Sequence, residues 1–317
     1  MGSGVPPPLS LPLRDGVSAS CIALPDGPWT SLLDFLTARF PQQGRSVWAA
    51  RIAQGLVLDA SGRPVAHAEP YRAHGHVYYY RSLDAEPRIP FEEVVLHQDE
   101  DLVVVDKPHF LPVVPSGRYL QETLLVRLRR RLGLDDLAPL HRIDRETAGL
   151  VLFSVRPASR SAYHALFREH RIRKRYEAIA PWRADLPLPL TRSSRIGPGP
   201  HFMQLAETDG RANAWTHIRL LERAGRLARY ELEPVSGHRH QLRVHLMALG
   251  IPIVGDTIYP RLLPEGSDDP DRPLQLLARQ VDFIDPLSGL PRRFASARRL
   301  ALAQAGLSAD GPARSPG

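Results

Sequence analysis

One stretch constrains this chain more than any other: His141-Arg142-Ile143-Asp144-Arg145-Glu146-Thr147-Ala148-Gly149-Leu150. Asp144 stands between two arginines, and Gly149 opens into the apolar run Leu150-Val151-Leu152-Phe153. Crowded polar residues ahead of an apolar strand describe a loop mounted on a rigid scaffold, the place where binding and catalytic residues collect. Asp144 can pin a turn by pairing with Arg142 or Arg145, or it can serve a site. Ion-paired carboxylates are common in both settings, and the stretch alone leaves both open.

The rest of the chain reads as a soluble protein with punctuated elements. Residues 1–25 are rich in Pro, Gly and Ser and read as a disordered lead-in. A small module follows over 26–84. Leu32, Leu33, Phe35 and Leu36 give a helical face, and a second helix runs from Val47 to Ile52 and closes at Gly55. Strands are expected at Leu56–Asp59 and Val77–Tyr80. A larger domain is expected over 91–305, and 306–317 reads as a disordered tail.

Within the larger domain, Val94–Leu96 and Leu102–Val105 read as strands joined by the turn Gln98–Asp101. Gln121–Leu132 reads as a helix with its leucines inward and Arg127, Arg129, Arg130 and Arg131 mostly outward. A helix over Ser159–His170 precedes Arg171-Ile172-Arg173-Lys174-Arg175-Tyr176, where four basic residues lead into a strand. Its alternation puts Tyr176, Ala178 and Ala180 on one face. A buried tyrosine in a strand is ordinarily a core residue with a satisfied hydroxyl, so Tyr176 alone is not a site. Ser236–Leu246 reads as a helix with Leu242, Leu246 and Leu249 facing the core and Gly250 as its cap. Leu276–Phe283 is the last strand expected, and Arg298–Ala305 a short closing helix.

Composition narrows the chemistry. Cys21 is the sole cysteine, which removes intramolecular disulfides and zinc sites built on paired cysteines. No His-Glu-x-x-His spacing or phosphate-cradling glycine loop occurs, so neither a metal nor a nucleotide cofactor is expected. No apolar run approaches the roughly 20 residues of a membrane helix. Met1–Pro12 lacks a basic residue ahead of an apolar core, so no secretory signal is expected and the default location is the cytoplasm. Net charge is +7 with a pI near 9.9, which suits a polyanionic partner. Of 41 basic residues only Lys107 and Lys174 are lysines. Planar guanidinium groups suit phosphates and bases, although a GC-rich genome would produce the same excess.

Three motifs in order resemble those of the RluA-type family of RNA pseudouridine synthases. HRIDRETAGL is similar to the central motif His-Arg-Leu-Asp-x-x-Thr-Ser-Gly-Leu, with Ile143 and Ala148 as departures. Lys174-Arg175-Tyr176-Glu177-Ala178 matches Lys-x-Tyr-x-Ala. Ser236-Gly237-His238-Arg239-His240-Gln241-Leu242-Arg243-Val244-His245, continuing to Pro252-Ile253-Val254-Gly255-Asp256, resembles the third, with His238 and Arg239 in place of the usual Arg-Thr. Residues 29–81 resemble, more loosely, an αL-type RNA-binding module found in a small-subunit ribosomal protein; a purely structural cap fits them as well.

The resemblance implies an α+β fold with a central, mostly antiparallel mixed sheet flanked by helices. It implies isomerisation of uridine to pseudouridine in rRNA or tRNA, without a cofactor, because the glycosidic bond is broken and remade with no net oxidation or hydrolysis. It places the nucleophile on Asp144, the base-binding tyrosine on Tyr176 and the active-site arginine on Arg243; Arg142 is the alternative partner for Asp144. His141, Arg142, Arg145, Thr147, Lys174, His240 and Gln241 are the expected substrate-positioning residues. RNA is the expected partner, with no membrane and no obligate protein partner, and the chain is expected to be a monomer. Arg45, Arg51 and Arg63 are the candidate phosphate contacts of the N-terminal module.

Overall fold

The computed structural model describes residues 11–83 and 85–302, which form two units. The first gathers Met1–Pro87 and Val114–Asp135; the second gathers Arg88–Val113 and Asp136–Gly317.

In the first unit, β1 (Ser20–Ala23), α1 (Leu32–Arg39), α2 (Gly44–Ala53), β2 (Val57–Leu58) and β3 (His76–Tyr79) form a helical pair on a three-stranded antiparallel sheet ordered β1-β3-β2. Ser31 caps α1 by accepting the Asp34 amide at 3.1 Å, satisfying a donor that the helix cannot. Leu32, Leu33, Phe35 and Leu36 from α1 meet Trp48 and Ile52 from α2 over Val57 and Val77. The lead-in expected to be disordered therefore contains a strand. Ser20–Ala23 pairs with β3, more than fifty residues away, and its Pro/Gly-rich flanks hide that non-local partner.

The helix α3 (Leu124–Leu132) also lies in this unit, with Val126 packing on Val17 and Leu120. It starts later than the expected Gln121, because the amides of Leu120, Gln121 and Glu122 all donate to the Glu86 carboxylate. Arg129, expected to face outward, is held by the Gly16 carbonyl at 3.1 Å and Ser18 at 3.0 Å. Arg51 is buried beside Trp48, and Arg45 and Arg63 pair with Asp34 and Asp59. The three candidate phosphate contacts are thus bound within the unit, Arg51 out of reach of a phosphate altogether.

The second unit is built on β4 (Val94–Gln98), β5 (Leu102–Lys107), β6 (Ala138–Pro139), β7 (Ala148–Ser154), α4 (Pro157–Arg168), β8 (Ile172–Pro181), β9 (Leu190–Pro198), β10 (Leu205–Thr208), β11 (Ala214–Ala224), β12 (Leu227–Pro234), α5 (Gln241–Ala248), β13 (Leu276–Ile284) and β14 (Pro291–Ala295). Its strands make an 11-stranded sheet ordered β10-β9-β11-β12-β8-β13-β7-β5-β4, with β14 on β13 and β6 on β7. Among the described residues β13–β7 is the one parallel pairing, so the sheet is mixed and mostly antiparallel, an α+β architecture. One core joins Leu242 and Leu246 of α5 to Ala178, Ala180, Tyr230 and Leu232 of the sheet. A second joins Leu150 and Leu152 of β7 to Tyr163 and Leu166 of α4.

Three boundaries depart from the sequence reading. The helix expected from Ser236 begins at Gln241, because His240 takes a left-handed φ of 54°. A strand, β14, follows the one expected to be last. Residues 298–301 are not helical, and 303–305 of the expected closing helix, with the tail 306–317, lie outside the described residues. No helix among the described residues is long and apolar enough to cross a membrane.

Candidate active site

Three neighbouring strands fix the site. Tyr176 of β8 is opposite Ala278 of β13, and Ala278 is in turn opposite Gly149 of β7. Gly149 has φ +109°, and a Cβ there would lie 2.3 Å from the Ala278 carbonyl oxygen. Only glycine lets the strands close this tightly directly after the Asp144 loop. The sheet thereby sets Tyr176 beside that loop, and the Thr147 amide closes it on the Asp144 carbonyl at 3.1 Å.

Asp144 is the point where other groups converge. Its carboxylate is 25% exposed, and Oδ2 accepts from Arg243 Nη1 at 3.2 Å. His240 Nε2 lies 3.8 Å from Oδ1. Arg243, 1% exposed, is held rigidly from behind: Nε and Nη2 donate to the two oxygens of Asp256 at 2.8 and 2.7 Å. Asp256 Oδ1 also accepts the amides of Ile258 and Tyr259. A forked guanidinium fixed at two nitrogens can aim the third, which a flexible ammonium cannot. Burial works against the charge of Arg243, but the bonds and charge of Asp256, with the charges of Asp144 and Glu146, outweigh it and raise its pKa. The arginine is permanently cationic.

Tyr176 and His240 are the uncharged groups beside Asp144. Burial, then the negative charge of Asp144, raises the Tyr176 hydroxyl, so the ring stays a protonated phenol. Burial lowers His240 despite Asp144 nearby. Its Nδ1 faces the Tyr259 hydroxyl at 3.1 Å, and that oxygen already accepts the Leu205 amide at 2.7 Å. Tyr259 thereby holds the imidazole ring with Nε2 turned toward Asp144.

A family model described as RNA pseudouridylate synthase matches residues 101–248. An uncharacterized RNA pseudouridine synthase of Synechocystis, slr1592, is 36% identical over 233 residues, covering 72% of this chain and 79% of that protein. The chain belongs to the RluA-type RNA pseudouridine synthases. A dual-specificity RNA pseudouridine synthase RluA of Pasteurella multocida is 29% identical over 64% of this chain and 91% of its own length. The structure of human RNA pseudouridylate synthase domain containing 1 superposes with a TM-score of 0.54 at 23% identity, over 68% of this chain and 86% of that one, a likeness of fold. The chain is an RNA pseudouridine synthase, and its substrate is RNA.

In this synthase the expected site residues separate by where their polar atoms point. Asp144, Arg243, His240 and Tyr176 come together. Arg142 is exposed and makes no ion pair among the described residues, so Arg243, not Arg142, is the partner of Asp144. Arg145 bridges Glu146 and Asp268. Thr147 is buried in the turn. Lys174 donates to the Ser236 carbonyl at 3.1 Å and is pushed down in pKa by burial. His141 points into the scaffold, stacked on Phe167 and accepting the Leu152 amide at 3.2 Å; burial, then the charge of Lys174, lowers it to about 3. Gln241 also faces inward. Its oxygen accepts from Ser236 and the His238 amide, and its nitrogen donates to Trp215 and Thr216.

Two groups absent from the expected set hold the site in place. Asp256 orients Arg243, as above. Lys107 is fully buried at the end of β5 and donates to the carbonyls of Pro108, Leu111 and Arg145 at 2.9, 2.8 and 3.0 Å. The last bond ties β5 to the residue after Asp144. Burial pushes Lys107 down to about 7, opposed by the charges of Glu146 and Asp144. Being one of two lysines among 41 basic residues was the available signal.

Proposed function

We propose that this synthase isomerises specific uridines of rRNA or tRNA, with Asp144 as the nucleophile. One observation carries the reading: a partly exposed carboxylate meets a buried arginine that is itself locked by a second carboxylate. A carboxylate can trap one fragment of a cleaved glycosidic bond as a covalent intermediate. The arginine fixes the direction of that carboxylate and sets a positive charge against it. Tyr176 offers an aromatic face to a uridine turned out of its stack, as base-modifying enzymes require. Arg142, exposed and two residues from Asp144 in sequence, and the half-buried Lys174 are the cations proposed for the RNA backbone. The N-terminal unit would strengthen RNA binding without entering the chemistry. The enzyme would act as a monomer in the cytoplasm, with no cofactor.

Asp144→Asn tests the assignment. The amide keeps the shape and much of the hydrogen bonding but removes the anion. Conversion of uridine in RNA from cells lacking the gene should vanish while RNA affinity changes little. Turnover retained by the purified variant would remove Asp144 from the role.

A further inference from the structure

We propose that the tip of the β9–β10 hairpin is a nucleotide-stacking element, which receives an unpaired base flanking the target uridine on Phe202 and its phosphate on Arg239. This rests on the RNA-isomerising role of the site and names a further contact for its substrate. Phe202 is 83% exposed, more than any other large apolar side chain among the described residues. It sits in His201-Phe202-Met203, with the His201 ring 4.4 Å away and the Met203 amide donating to His201 Nδ1 at 3.2 Å. An aromatic ring left in water, with an arginine bound to the carbonyl of the next residue, fits a partner with flat faces and phosphates, because each base has a π-face and a single strand exposes it.

The tip is wired to the site. Arg239 Nη2 donates to the Met203 carbonyl at 2.9 Å, Gln204 Nε2 to the Ile258 carbonyl at 2.8 Å, and the Leu205 amide to the Tyr259 hydroxyl at 2.7 Å. Tyr259 meets His240, and His240 Nε2 is 3.8 Å from Asp144. Phe202 is three residues from Leu205, at most about 11 Å of chain. The hairpin tip is thus joined to the Asp144 site through Tyr259 and His240, on the path that RNA flanking the target would follow under this proposal. Arg239 is exposed, and beyond its bond to Met203 its guanidinium has no partner among the described residues. It stands where the family motif usually has threonine, so the latch that sets this tip belongs to this chain's own sequence.

The test measures binding to a short single-stranded oligouridylate and to its duplex with oligoadenylate. Phe202→Ala and Phe202→Leu should each weaken single-strand binding about tenfold, as loss of one stacked base would, and leave the duplex unaffected. Phe202→Trp should retain affinity, with its fluorescence quenched on binding. The salt slope should be unchanged for Phe202→Ala and reduced by about 0.7 for Arg239→Thr, which removes one phosphate contact. Wild-type affinity in Phe202→Ala would overturn the proposal. So would full recovery in Phe202→Leu, or an effect of Phe202→Ala confined to self-association in sedimentation, which would make the ring a contact between copies. Conversion of cellular RNA by wild type is scored separately: its absence defeats the proposed reaction, whatever the oligouridylate shows.

Discussion

Arg243 holds Asp256 with two nitrogens and Asp144 with a third, so its charge and its shape can be tested apart. Arg243→Lys keeps a cation against Asp256 but loses the fork, and misplacement of the Asp144 partner by about 1 Å should cost on the order of a hundredfold in turnover. Arg243→Met leaves Asp256, itself 1% exposed, as a buried unpaired carboxylate, and should also destabilise the fold by about 3–5 kcal/mol. Single-turnover rates and urea unfolding separate the two. A lysine variant with near-normal rate would mean that charge alone suffices. The motifs assigned roles to Asp144 and Arg243, whereas Asp256, the last residue of the third motif, was spelled out without one. Its carboxylate turns back across thirteen residues onto the helix, and nothing local records that direction. The same limit applies to His141 and Gln241: a motif marks a polar residue, whereas packing decides whether it faces the substrate or the scaffold.

The contact between β7 and β13 is the element on which the Asp144 loop is mounted, and Gly149 is its weak point. Gly149→Ala places a Cβ against three backbone atoms of Ala278 at 2.3–2.8 Å, none of which is a flexible side-chain end, in a backbone conformation unsuited to alanine. The parallel pairing Leu277–Ala148 and Ala278–Gly149 should open, dropping the melting temperature and moving Tyr176 away from the loop, with activity lost beyond the loss of folded protein. Circular dichroism melts with activity per folded molecule check this; a stable, active alanine variant would show that the strands can part without consequence. Most elements were legible because their apolar periodicity is local, as in α1, β5, β7 and β8. Those that were not depend on distant partners. β1 pairs with β3, and β14 has only Pro-Arg-Arg-Phe-Ala to signal an edge strand beside β13. The start of α5 depends on Gln241 binding Ser236 and the His238 amide, which holds the preceding residues in a turn.

Across the molecule, the fold class and the reaction were readable from three separated motifs, while the grouping of residues into units was not. Residues 114–135 group with the N-terminal unit, a return that no composition shift announces. Nor does composition show which charges are already matched: Arg173–Glu233, Arg219–Glu231 and Arg279–Glu177 neutralise one another across strands, so the excess of arginine overstates what is left for RNA. The buried histidines give the molecule a definite acid limit. His245 is fully buried, with Nδ1 2.9 Å from Thr216 Oγ1 and Nε2 3.1 Å from Ser194 Oγ, and burial first, then the charges of Arg192 and His238, lowers it to about 4. His109, also lowered to about 4, and His141, at about 3, act in the same sense. The unfolded chain protonates these groups near pH 6.5, the fold only well below, so between those values the unfolded state holds more protons. Stability is then complete above about pH 6.5 and falls with pH, by about 3 kcal/mol for His245 alone once pH 4 is reached. The paired carboxylates Asp99, Asp282 and Asp285 have lowered pKa values, so their contribution is lost only below the ordinary carboxylate range, in a separate window. Urea midpoints at about pH 7 and about pH 5 should therefore differ markedly, and His245→Gln, which keeps hydrogen-bonding capacity without the proton, should narrow the gap. Equal midpoints in wild type would mean that these imidazoles carry their protons inside the fold.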